Sequence, residues 1–121
     1  MDGVVYKKFG NTREICDGVF PLFGFACADY MAVYNADPET MADCYIFGAI
    51  IQDVDINTNV DLFRFIKTLM KHDKNLAMIV LDIDGISDDN LDTIKEELDG
   101  TFGFDELKDV YEDRIVFARR V

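Results

Sequence analysis

The chain has 121 residues, half of them hydrophobic, with ten Phe and five Tyr. That is enough apolar material for one core, and it excludes disorder over most of the length. Acids outnumber bases 24 to 12, giving a formal charge of −12. Direct duplex nucleic-acid binding and docking on an anionic membrane both need clustered Lys and Arg, so both are disfavoured.

The segment Met1 to Gly10 carries Asp2 and two Lys with no apolar stretch, so no secretory signal is expected and a cytoplasmic location is. Val4 to Phe9 reads as a strand. Between Gly18 and Ala36 only Asp29 is charged, but Pro21 and Gly24 interrupt the run, which fits a buried core segment better than a membrane span. Within it, Leu22 to Tyr34 matches a buried helix and a pair of short strands about equally. Asp37-Pro38-Glu39 has the cap-then-proline order of a helix start. Cys44 to Gln52, with Tyr45, Ile46, Phe47, Ile50 and Ile51, suits a strand despite Gly48.

The second half is clearer. Asn57 or Thr58 can cap a helix over Asn59 to His72, in which Leu62, Phe63, Ile66, Leu69 and Met70 form one apolar stripe. Leu76 to Leu81 are six apolar residues in succession, the pattern of a strand buried on both faces. Ser87 reads as the N-cap of a second helix, with Ile86 and Leu91 spaced as a hydrophobic staple. Leu91, Ile94 and Leu98 face inward, and Gly100 stands where a helix-terminating glycine belongs. A short helix is expected over Asp105 to Tyr111, then a closing strand over Arg114 to Arg119.

A shift of 29 residues superimposes Ile50 on Ile79, Asp53 on Asp82, Asp55 on Asp84, Thr58 on Ser87, Leu62 on Leu91 and Leu69 on Leu98. Each unit reads apolar strand, Asp-x-Asp, hydroxyl cap, amphipathic helix. Two units followed by the Arg114 strand predict β-α-β-α-β with three parallel strands. The expected fold is therefore α/β or α+β, one domain over 1–121, with a mixed sheet centred on Cys44–Gln52, Leu76–Asp82 and Arg114–Arg119.

In such a sheet Asp53, Asp55, Asp82 and Asp84 fall at the carboxyl edge, where open α/β sheets place ligands. Crowded oxygen donors suit Mg²⁺ or Ca²⁺, so a small Mg²⁺-dependent phosphoryl-processing enzyme is one reading. The other is that these are turn acids held in water. The segment Ile79-Val80-Leu81-Asp82-Ile83-Asp84-Gly85 resembles the first motif of the haloacid dehalogenase phosphatases. That resemblance implies Asp82 as nucleophile and Asp84 as acid/base. It covers seven residues, starts two-thirds of the way along, and has Ile86 where the family has Thr. Cys16, Cys27 and Cys44 lack metal-ligand spacing and read as reduced thiols. No phosphate-cradling glycine loop occurs, and no cofactor is implied.

The acids themselves carry the remaining signal. Asp supplies 18 of them and Glu only 6, and Asp prefers caps and turns to helix faces. Asp82, Asp84, Asp88, Asp89, Asp92, Glu96, Glu97, Asp105, Glu106 and Asp109 form a nearly base-free series. Such a series is either a solvated face or a surface presented to a basic protein, such as a nucleic-acid-binding protein, a nuclease or a toxin. The expectation is a non-catalytic binding protein that inhibits or neutralises such a partner. In composition alone it resembles phage anti-defence inhibitors, nucleic-acid mimics and toxin-immunity proteins.

Overall fold

The computed structural model describes residues 6–11, 30–37, 39, 43–51, 60–111 and 113–120. Five strands form one mixed sheet: β1 (Tyr6–Asn11), β2 (Tyr45–Ile50), β3 (Leu76–Asp82), β4 (Phe104–Tyr111) and β5 (Arg114–Arg119), in the spatial order β1-β2-β3-β5-β4. Two helices, α1 (Val60–His72) and α2 (Asp88–Leu98), link β2 to β3 and β3 to β4. The architecture is α+β with a mixed sheet.

The β-α-β core follows the expected pattern. β2 and β3 pair in parallel, Phe47 facing Ile79 and Ile50 facing Asp82. Alternation along β2 sends Tyr45, Phe47 and Ala49 to one face and Ile46 to the other. β3 is buried along almost its whole length, as a strand covered on both faces must be. Its register slips between Leu76 and Met78, opposite Tyr45 and Ile46. That bulge places Ala77 and Met78 on the same side of the sheet, so alternation resumes with Ile79 and Leu81 toward the helices.

Leu62, Phe63, Ile66 and Met70 of α1 and Ile94 and Leu98 of α2 pack on that helix-side face with Phe104, Ile115 and Phe117. Ser87 caps α2, its Oγ accepting from the Asn90 amide at 3.4 Å. Ile86 and Leu91 are both partly buried against the core, as a staple requires. Gly100 follows the helix with φ 74°, the left-handed geometry that favours glycine. On the other face the chain is helical at residues 30–34, and Tyr30 and Tyr34 pack over Ile46, Val80, Leu107 and Val116. This helical turn ends as a Schellman motif: Asn35 has φ 54° and the Ala36 amide donates to the Met31 carbonyl at 3.1 Å. Of the two readings of Leu22 to Tyr34, the described part is helical. The helix expected from Asp37 lies mostly outside the described residues, where only the turn in which Asp37 Oδ1 accepts from Glu39 N at 3.0 Å can be followed.

Two expectations are corrected. Residues 105–111 are not helical but belong to β4. Phe104 and Leu107 face opposite sides of the sheet, as residues three apart in a strand do. β5 is not the third parallel strand, because it runs antiparallel to both β3 and β4. β4 is that strand, and β5 folds back from it to fill the gap beside β3. The repeated strand-helix unit is thus real in architecture, but its closing strand comes one element earlier than the sequence implied.

Candidate functional site

The aspartates divide by what holds them. Asp37, Asp73 and Asp82 each accept from the backbone amide two residues on, at 3.0, 2.9 and 3.1 Å, and Asp99 Oδ1 accepts from Glu106 N at 2.8 Å. These are turn acids, and they account for part of the Asp excess. Asp82 and Asp84 therefore belong to one such turn at the carboxyl end of β3, with Asp84 exposed. Asp53 and Asp55 lie outside the described residues. Among the described residues no group of three or more His, Cys, Asp or Glu side chains could hold a metal ion.

The ten acids expected at a partner surface separate further. Glu97 pairs with Lys67 at 2.6 Å and Glu106 with Lys95 at 3.3 Å, ties that hold α2 to α1 and to β4. Asp105 points to the opposite side of the sheet, where it pairs with Arg120 at 2.8 Å and accepts from the Tyr34 hydroxyl at 3.3 Å. Burial, with the nearby Asp105 carboxylate, pushes the Tyr34 phenol up. Asp109 lies in β4, its side chain outside the described set. The remainder, Asp84 in the turn after β3 and Asp88, Asp89, Asp92 and Glu96 on α2, are all exposed. Among the described residues, none of these five is in an ion pair.

Helical geometry explains this grouping. With Ile94 and Leu98 fully buried, α2 turns Asp88, Asp89, Asp92 and Glu96 away from the core. Residues three or four apart on a helix lie about 5 to 6 Å apart, so the carboxylates make a short regular ladder on the solvent side. Asp88 and Asp89 occupy the first turn, where the helix dipole favours negative charge. Asp113 extends the acidity at the same edge but is neutralised by Arg114 at 3.0 Å.

A second cluster sits at the other edge, and the sequence reading did not single it out. Arg119 Nη2 donates to the Met70 and Asp73 carbonyls at 3.0 and 2.7 Å, and its guanidinium lies 4.8 Å from the Phe104 ring centroid. The arginine thus caps the carboxyl end of α1. The Tyr45 hydroxyl donates to Asp73 Oδ2 at 2.5 Å, and burial together with that bond pushes its phenol well above the ordinary range. Burial also raises the half-buried Cys44 thiol, with Arg119 nearby opposing the shift. The signal was available: Arg119 alternates with Ile115 and Phe117, so strand periodicity alone directs a charge toward the core.

Comparison with protein families, with curated proteins and with solved structures yields no match to any of the three. Among the described residues no helix is long and apolar enough to cross a membrane.

Proposed function

We propose that this is a non-catalytic cytoplasmic binding protein that inhibits or neutralises a basic protein through the outer face of α2. The observation that supports it is the sorting of charge. Acids that stabilise the fold are tied into turns or ion pairs, while Asp84, Asp88, Asp89, Asp92 and Glu96 project together without counter-ions among the described residues. A row of carboxylates on a rigid helix carries a field complementary to a nucleic-acid-binding groove or a basic toxin site, and such fields act on association rate and partner choice. Occupying a groove of that kind would block it from nucleic acid.

The test compares the wild type with the triple variant D88K/D89K/D92K as bait for basic proteins in a cytoplasmic extract. Wild-type capture is expected to weaken steeply with salt and to be displaced by duplex DNA, since the face and the phosphate backbone compete for the same cations. The triple variant is expected to lose it while remaining folded by circular dichroism. Capture that is independent of salt and of the three acids would overturn the proposal.

A further inference from the structure

The loop from α2 to β4 holds a bulky side chain where the backbone favours none. Phe102 has φ 50° and ψ 33°, left-handed values that Gly adopts freely and a bulky L-residue rarely does. Its neighbours Gly100 and Gly103 have φ 74° and 81°, so of three such positions in one turn only this one keeps a side chain. The ring is not there to fill the core, because Phe102 is 49 % exposed. Lys71 Nζ stands 6.0 Å from its centroid.

Among the described side chains, Arg64, Lys67, Lys95, Arg114 and Arg120 are ion-paired, and Arg119 is held by backbone carbonyls. Among the described residues Lys71 and Lys74 have no acidic partner, and both are exposed. Both belong to the carboxyl end of α1 and the turn after it, at the sheet edge opposite the start of α2. Among the described residues, a chain of charge −12 therefore carries two exposed cations without an acidic partner beside an exposed aromatic at one end, and the exposed acids Asp88, Asp89 and Asp92 at the start of α2 at the other.

We propose that the Phe102–Lys71–Lys74 edge docks the outer face of α2 of a second copy of this chain. Phe102 is the apolar anchor, and the two lysines face Asp88, Asp89 and Asp92. The contact joins two different surfaces, so it is heterologous and propagates head to tail into a chain or ring. It shares the α2 face with the proposed function and makes that face self-covered until a more basic partner displaces it.

Net repulsion sets a particular salt signature. At about 0.01 M salt the Debye length is about 30 Å, and whole-molecule repulsion opposes docking. At about 0.15 M it is about 8 Å, which screens the repulsion between centres about 35 Å apart more than the contacts between faces. At about 1 M the contacts are screened too. Sedimentation velocity across a wide concentration range at these three salts is expected to show the strongest association at the middle one.

Phe102→Asn removes the ring while keeping a residue that tolerates the left-handed region. It should weaken association about tenfold or more, as loss of an interface anchor does, and leave the melting temperature equal or higher. K71E/K74E should also associate weakly, and mixing it with D88K/D89K/D92K should restore a complex, because the intact lysine edge of the second variant meets the intact α2 face of the first. A wild type that stays monomeric at every salt would overturn the proposal. So would a Phe102→Asn variant that associates normally, or one that melts well below the wild type, which would make the ring an internal packing residue. Phe102→Asn leaves the α2 face intact, so capture of a foreign basic partner by this variant separates the two proposals.

Discussion

At the scale of single residues, the Tyr45 phenol is closely held. It lies on the helix-side face, 9 % exposed, and donates to an aspartate that is already engaged by the Asn75 amide. Its raised pKa makes its contribution pH-dependent, with a definite sign. Below the ordinary tyrosine pKa of 10.0 the phenol is neutral in both states and the bond is fully present. Above it, the unfolded chain loses the proton while the folded protein retains it, so stability falls as pH rises from there through the folded value. Tyr45→Phe is expected to cost about 1 kcal/mol near neutral pH, a typical net hydrogen bond. The gap between wild type and variant should narrow above pH 10 in urea unfolding measured along a pH series. A gap that stays constant to pH 11.5 would show that the hydroxyl is not protonated against Asp73.

At the scale of elements, the two helices were legible because each has a 3.6-residue apolar stripe, and their observed spans, Val60–His72 and Asp88–Leu98, lie close to the expected ones. Ser87 caps α2, whereas Asn57 and Thr58, the expected caps of α1, lie outside the described residues. β3 was legible because six apolar residues in a row between turns have few other uses. β4 was not, since Phe-Asp-Glu-Leu-Lys alternates too weakly to reveal a strand at the sheet edge, and its partner β5 follows it in the chain. The repeat also over-predicted equivalence. Leu69 and Leu98 match at the shift of 29, yet Leu98 is 0 % exposed whereas Leu69 is only partly buried at the rim of the core. Leu98→Ala should therefore cost about 2 to 5 kcal/mol, and Leu69→Ala clearly less. Equal losses in denaturant unfolding would mean that α1 is seated deeper than the structure places it. For the candidate site, the sequence located the acids but not their division. Which carboxylates meet a lysine depends on how α2 lies against α1 and β4, and no local pattern encodes that.

At the scale of the whole molecule, α2 carries a conflict between stability and charge. Asp88 and Asp89 suit the positive amino end of its dipole, but Glu96 stands in the last turn, where the dipole favours a cation. It also adds to a net charge of −12, which opposes the compact state through self-repulsion. No ion pair among the described residues offsets either effect. The proposed function accounts for a residue unfavourable on both counts, since Glu96 continues the outward ladder begun by Asp88 and Asp92. Glu96→Lys should then raise stability by about 0.3 to 1 kcal/mol at low ionic strength, and the gain should shrink as salt is added. Asp89→Lys, one helix end away, should lower stability by a similar amount, because the same dipole acts with opposite sign there. Both substitutions should weaken capture of a basic partner. Thermal melts of the two variants at low and high salt separate the effects: opposite stability changes with a shared loss of binding are expected. A destabilised Glu96→Lys variant would instead show that Glu96 has a structural role in the fold.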